Sequence, residues 1–316
     1  MLKRLVTILF LLLLTLSLTT QVFAQDDDDA EYDGDWGRDV ECENGDEITG
    51  GVEVVIVQQR TGNQYRVTAV GIDGFDPVVG VMLTGEYDDA LCNDDSNDAD
   101  DYEADLPTTG EVDSSGLSSQ VVLNLNTSNV FENVSIVVGG FGESSGEFIL
   151  IIEGMYASSL DNAGDPMALT VSPSLFESEI DPTIYMISVV GAFDPLIYLA
   201  DSNLGSLEDE DGDPIICDDA GVSGLCWGES DGLAGSFISR SNNRQLGGGQ
   251  FDSMLTIPLT EEELGSDFLY VMTSYGDTEG DYVVVFHLGV QGEDDASEDD
   301  ASEDDASEDD ASEGNK

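Results

Sequence analysis

The chain repeats itself. Phe75-Asp76-Pro77-Val78-Val79-Gly80-Val81 matches Phe193-Asp194-Pro195-Leu196-Ile197-Tyr198-Leu199 at an offset of 118. Further matches keep the same order: Gly45-Asp46 with Gly164-Asp165, QYRVTAVG (64–71) with IYMISVVG (184–191), LCNDD (91–95) with ICDD (216–219), and VVGGFGESSGEFILIIEG (137–154) with VMTSYGDTEGDYVVVFHLG (271–289). The pattern predicts a duplication, with copies from about Gly45 to Gly154 and from about Gly164 to Gly289. The second copy carries the longer central insert.

Within each copy the local pattern is that of strands. EVVIVQQ, YRVTAV, VVGVML, QVVLNL, VSIVVGG, EFILIIEG, TIYMISVV, PLIYLAD, FLYVMTS and DYVVVFHLG are short runs rich in β-branched and aromatic residues, separated by Gly, Asn, Asp and Ser turns. Outside the N-terminus no helical period is sustained. LTEEELGSD offers at most one turn before Gly265. Many short strands and few helices predict an all-β chain of two tandem jelly-roll-like β-sandwich domains, residues 45–156 and 157–290, flanked by disordered acidic termini.

These residues resemble the bacterial pre-peptidase C-terminal (PPC) domain. The marks are a D-P-hydrophobic strand, an Asp-Asp turn and a closing G-x-aromatic strand. They appear as Phe75-Asp76-Pro77, Asp94-Asp95 and Gly146-Glu147-Phe148, and again as Phe193-Asp194-Pro195, Asp218-Asp219 and Gly280-Asp281-Tyr282. The resemblance covers nearly all of residues 45–289. It implies a jelly-roll-like sandwich appended to exported proteins, without catalysis of its own, in a family where some members bind collagen or other polymers with help from calcium. Between residues 25 and 316 no protease or other catalytic domain is expected beside the two copies.

The first 24 residues are expected to lie outside that fold. Lys3 and Arg4 precede the apolar run LVTILFLLLLTLSL, and Val22-Phe23-Ala24 forms a small-residue cleavage signature before Gln25. This is the pattern of a secretory signal peptide, which predicts a secreted or cell-envelope protein with no membrane span after cleavage. Residues 25–44 form an acidic segment, and residues 291–316 an acidic tail in which DDASE occurs four times. So charged and apolar-poor a tail cannot bury enough surface to fold.

The formal net charge of the whole chain is −60. Twelve acids fall in residues 26–47 and thirteen in residues 293–313, yet between them the only cations are Arg60, Arg66, Arg240 and Arg244. Such a surface repels phosphate backbones and anionic lipid, which excludes nucleic acid as a partner. It attracts cations and suits a salty or calcium-containing exterior. The expected function is that of a noncatalytic binding or accessory module for an unknown extracellular polymer or protein, with a calcium-dependent structural or surface-assembly protein as the alternative.

Four cysteines in an exported chain are expected to pair, with three connectivities open. In the repeat alignment Cys92 and Cys217 are equivalent, so each is expected to bond within its own copy, Cys42 with Cys92 and Cys217 with Cys226. Loop-closure entropy assigns about 4 kcal/mol to the first and about 2.7 kcal/mol to the second.

Residues 228–232, GESDG, fit the G-x-S-x-G pattern of a hydrolase elbow, with Ser230 as nucleophile and His287 downstream. A shuffled chain of this composition yields the pattern about 0.4 times, and the strand-turn-helix context it needs is missing. His287 sits in YVVVFHLG, where a packed or edge imidazole is the simpler reading. LPTTG (106–110) matches a sortase sorting signal, but its mid-chain position reads as a turn. No catalytic residue is therefore assigned.

Calcium is the one cofactor the residues raise. Asp209, Asp211 and Asp213 alternate in a loop bent at Gly212, an arrangement able to offer several hard oxygens. Pro214 stands where the EF-hand has its Gly, and Ala220 where it has its closing Glu, so a solvated hairpin tip is the competing reading. Asp94, Asp95, Asp218 and Asp219 form a second candidate set, which also suits turns held by side-chain to backbone bonds. Trp36 and Trp227 are candidates for a sugar platform, although Trp227 next to Cys226 equally suits a cover for the disulfide.

Overall fold

A computed structural model of the protein describes residues 37–57, 64–94, 102–113, 118–124, 133–158, 167–171, 180–189, 194–201, 205–208, 212, 214–217, 237–240, 244–245, 252–256, 269–274 and 278–290. The described residues are almost wholly strand. In chain order these are β1 (Arg38–Glu41), β2 (Glu47–Val57), β3 (Gln64–Gly71), β4 (Pro77–Leu83), β5 (Leu91–Asn93), β6 (Tyr102–Leu106), β7 (Gly110–Asp113), β8 (Ser118–Asn124), β9 (Val134–Gly140), β10 (Gly146–Ser158), β11 (Met167–Val171), β12 (Thr183–Ser188), β13 (Pro195–Ala200), β14 (Ile216–Cys217), β15 (Phe237–Arg240), β16 (Arg244–Gln245), β17 (Ser253–Thr256), β18 (Leu269–Ser274) and β19 (Glu279–Val290). One 3-10 turn, Phe141–Glu143, joins β9 to β10.

The expected all-β sandwich is present, and both copies share its sheets. One sheet runs β14-β13-β18-β11-β2-β9-β4-β5, with β1 beside β2, and a second runs β17-β12-β19-β10-β3-β8. In each, one half comes from the first copy and the other half from the second. The join is always between corresponding strands: β2 pairs with β11, and β10 with β19, both antiparallel. A third sheet, β16-β15-β6-β7, is joined in the same way by β6 and β15. An internal pseudo-twofold axis therefore relates the copies, and the strands of both belong to one compact unit.

The hydrophobic pattern follows from these layers. Between the first two sheets lies a continuous core that includes Val54, Ile56, Val67, Ile136, Leu150, Ile152, Ile184, Met272, Val284 and Phe286. The third sheet covers the far side of the second, burying Ile149, Ile151, Tyr185, Val283 and Val285 against Tyr102, Ala104, Leu106 and Ile238. Hence β10 and β19 are buried on both faces, which is why FILII and YVVVF read as unbroken apolar runs without the alternation of a half-exposed strand.

The shared D-P motif has a packing role in both copies. The Ser119 hydroxyl, carried by β8, donates to the Pro77 carbonyl at 2.6 Å, and Ser253 on β17 donates to the Pro195 carbonyl at 2.6 Å. Phe75 packs on Phe148 with ring centroids 6.1 Å apart. A Cβ at Gly71 would collide with the Phe75 carbonyl oxygen, so only glycine fits there.

Strand register corrects two of the sequence matches. Val67 pairs with Ile152, and Ile184 pairs with Phe286, the counterpart of Ile152; Val67 therefore corresponds to Ile184, not to Ile187. The match of QYRVTAVG with IYMISVVG is displaced by three residues, an odd shift that would turn core side chains to the opposite face. Likewise Val79 pairs with Asn93, whereas its counterpart Ile197 pairs with Cys217, so Cys217 corresponds to Asn93 and not to Cys92. The two cysteines accordingly serve different clusters: Cys217 lies in the main core, while Cys92 packs with Cys42 and Ile48 in a separate cluster.

The acidic segment 25–44 was expected to be disordered, but its end is structured. Arg38–Glu41 forms β1 against β2, and Val40 and Cys42 are buried. The charge of this stretch is exposed on one side while its few apolar residues face inward, which is sufficient once β2 supplies a ladder. Residues 1–24 and the tail 291–316 lie outside the described residues.

Candidate functional site

The Cys42–Cys92 bond forms as expected, with Cα atoms 5.5 Å apart. It ties the end of β1 to the edge strand β5. Cys217 is also disulfide-bonded, and Cys226 lies outside the described residues. Around the first bond the chain turns tightly. Cys42 donates its N–H to the Asp46 carbonyl at 2.9 Å, Gly45 donates to the Cys42 carbonyl at 2.8 Å, and the Asn44 amide donates to the Asp46 carboxylate at 2.7 Å.

Beside this turn is a cavity of about 270 Å³, lined in part by Asn44, Asp46, Asn93, Asp94 and Phe141. Its walls are fixed from behind. The Asn93 amide donates to the Gln120 carbonyl at 2.9 Å, and Ser119 Oγ lies 2.5 Å from the Asp94 carbonyl. Its rim carries the 3-10 turn, where Gly142 at φ +63° lets the backbone reverse and leaves Phe141 58% exposed. Among the described residues Phe141 is the one large hydrophobic side chain that stands in solvent. Carboxylates and amides below an open aromatic face can hydrogen-bond hydroxyl or ammonium groups while the ring stacks on an apolar face.

Next to this end, β1 is pinned by charge. Arg38 Nε donates to Glu53 at 2.9 Å, Tyr87 Oη donates to the same carboxylate at 3.1 Å, and the guanidinium lies 4.6 Å from the centre of the Tyr87 ring. Glu53 is only 2% exposed, so these partners supply the compensation that its burial requires. Burial, together with the nearby Glu53 charge, raises the Tyr87 pKa and keeps the phenol a donor.

His287 is a packed imidazole, as its strand context suggested. It is 6% exposed in β19, with Nδ1 2.9 Å from Thr108 Oγ1 and Nε2 3.1 Å from Glu147 Oε2. Thr108 sits in the LPTTG segment, which is the expected turn: Leu106 ends β6, Thr109 donates to the Leu106 carbonyl at 3.2 Å, and Gly110 opens β7. The same threonine hydroxyl lies 2.6 Å from Tyr185 Oη. Burial lowers the His287 pKa against the opposing pull of Glu147, while burial pushes the Tyr185 phenol up to about 12 despite its bonds to Thr108.

The other candidates divide by position. Asp94 lines the cavity described above, at the end of β5. Asp95, Asp209, Asp211, Asp213, Asp218, Asp219, Trp36, Trp227 and Ser230 lie outside the described residues. Among the described residues no three His, Cys, Asp or Glu side chains converge in a way that could hold a metal ion, and no helix is long and apolar enough to cross a membrane.

Sequence reasoning passed over Asn44, Asn93 and Phe141. The aromatic is visible in the repeat, because FGESSG in the first copy aligns with YGDTEG in the second. Its exposure is not, since it depends on the turn between β9 and β10.

No family model and no curated protein matches the chain. Among solved structures, the CUB1-EGF-CUB2 domain of human MASP-1/3 is similar at 11% identity, over 75% of this chain and 99% of that one, with a TM-score of 0.13. Likeness at that level does not amount to a common fold.

Proposed function

We propose that the protein is an exported, noncatalytic binding module of the extracellular space or cell envelope, and that its ligand occupies the cavity beside the Cys42–Cys92 bond. The observation that carries this reading is Phe141, a solvent-facing aromatic on the rim of a cavity whose walls are cross-linked and hydrogen-bonded. A rigid polar pocket with one open aromatic is suited to holding a ligand at little ordering cost. The acidic lining selects neutral or cationic groups over polyanions. Export accounts for the N-terminal apolar run and for the disulfide. Catalysis is not needed to explain the buried histidine, since both ring nitrogens are engaged by groups that hold layers of the fold together.

The test is retention on immobilised cell-wall polymers, glycans and matrix proteins, comparing wild type with Phe141→Ala. Binding that weakens about tenfold or more in the variant, a change of about 1.4 kcal/mol, at an unchanged melting temperature, supports the site. Equal retention of both proteins places the ligand elsewhere. Hydrolysis of ester or peptide substrates that is lost in Ser230→Ala would replace this reading with an enzymatic one.

A further inference from the structure

On one side of the first copy the two main sheets end in a gap. β5 is the last strand of the first sheet and β8 the last strand of the second. A cavity of about 480 Å³ lies in this gap, with Glu43, Gln120 and Val122 in its walls, and it shares Asn44, Cys92 and Asn93 with the cavity beneath Phe141. The two form one groove that passes over the Cys42–Cys92 bond.

The backbone of β8 meets this groove at alternate residues. Its ladder with β3 pairs Val67 with Val121 and Arg66 with Val122. On the other side of β3, Ile72 donates its N–H to the Glu147 carbonyl at 2.8 Å, which sets the phase: even-numbered residues of β3 bond to β10 and odd-numbered ones to β8. Val121 is therefore committed to β3, and the N–H and C=O of Gln120 and Val122 point outward. The Gln120 carbonyl bears this out, since it accepts from the Asn93 amide of β5 at 2.9 Å. Val122, two residues along, presents an N–H and a C=O that have no partner among the described residues. An open donor and acceptor on an edge strand are the groups that an added strand takes up.

Charge narrows the occupant. Glu43, Asp46, Glu47 and Asp94 line the groove, and no Lys or Arg does. We propose that the groove binds an extended peptide carrying a Lys or Arg, which adds as a strand to β8 through Val122 and sends its cation over the disulfide to the carboxylates beneath the Phe141 ring. The peptide is thereby the ligand of the Phe141 cavity, and its assignment rests on that cavity being a binding site. Backbone pairing supplies affinity. The cation fixes register, because only one placement of the strand brings the charge to Asp46 and Asp94.

The experiment uses the full chain and a fluorescein-labelled hexapeptide of alternating Lys and Val, with an alternating Glu and Val hexapeptide as control, at physiological ionic strength. Fluorescence anisotropy is expected to show saturable binding of the Lys peptide and none of the Glu peptide. Hydrogen exchange at the Val122 amide is expected to slow when the Lys peptide binds. Val122→Pro deletes the outward N–H and leaves the β3 ladder intact, as an edge strand tolerates. It is expected to weaken binding about tenfold or more, while Val122→Thr, which keeps the N–H, binds like wild type. No binding of the Lys peptide would overturn the proposal and leave the cavity open to the polymers tested above. Binding with unchanged exchange at Val122 would overturn strand addition, and this arm is read on the wild-type chain, so it decides even where Val122→Pro fails to fold. Weakening by Phe141→Ala alone would likewise overturn strand addition while the cavity reading stands. Weakening by Val122→Pro alone would support strand addition and overturn the cavity as the seat of the cation.

Discussion

Ile151 and Val285 face each other across the β10–β19 ladder, at the one register position in that ladder where corresponding residues of the two copies meet. Both are buried beneath the third sheet. On the opposite sheet Val55 and Thr170 hold the equivalent place between β2 and β11. The internal axis thus passes through both sheets of the sandwich, and the copies complete each other's layers.

Replacing Cys42 and Cys92 together by serine removes a cross-link spanning 50 residues of sequence. Loop-closure entropy predicts a loss of about 4 kcal/mol. Denaturant titration of the double variant should show a lower midpoint. An unchanged midpoint would mean that the Arg38–Glu53–Tyr87 contacts alone hold β1 in place.

Ser119→Ala and Ser253→Ala should cost similar amounts, about 1–3 kcal/mol each, because each leaves a buried proline carbonyl without its donor. Ser119 also contacts the Asp94 carbonyl, so it is expected to be the costlier of the two. Thermal melts of both variants provide the comparison. A large effect at one site and none at the other would contradict the equivalence of the copies.

Gly71→Ala places a methyl group against the Phe75 carbonyl. Relief requires the backbone of the β3–β4 turn to move, and overpacking of this kind costs about 1–3 kcal/mol. A variant that melts like wild type would show that the turn has slack.

The His287 pKa is lowered in the folded protein, first by burial, with Glu147 on β10 opposing and the Tyr185 phenol reaching the site through Thr108. A base whose folded-state pKa lies below its unfolded value binds fewer protons when folded. Its neutral form is therefore compatible with full stability above about pH 6.5, and stability is lost as pH falls through 6.5 toward the folded-state value. His287→Gln should flatten that part of the stability profile relative to wild type. Parallel profiles for the two proteins between pH 7.5 and 5 would show that the imidazole does not titrate on unfolding.

Much of this molecule is legible in its amino-acid sequence. Val, Ile and aromatic runs between Gly and Asp turns specify strands by local preference alone, and the internal match from Phe75 to Val81 against Phe193 to Leu199 exposes the duplication. The Cys42–Cys92 pairing follows from the same match, although the equivalence of Cys92 with Cys217 behind it does not hold in the register. Short strands such as β6 (YEADL) and β15 (FISR) escape a sequence reading, because four or five residues of mixed polarity carry little periodic signal. Phe141 is visible as an aromatic in a repeated loop, and nothing local distinguishes a rim residue from a core one.

What the sequence determined by itself was the secondary-structure class, the repeat and the acidic character, all of which depend on neighbouring residues or on composition. Only the tertiary structure decided the register of β3 against β12, the different surroundings of Cys92 and Cys217, and the joining of both copies into shared sheets. The physical reason is the two-residue period of a strand. A shift of one or three residues hardly changes a match between apolar runs, yet it turns every side chain to the other face, and only the pairing partners across the sheet select among those shifts.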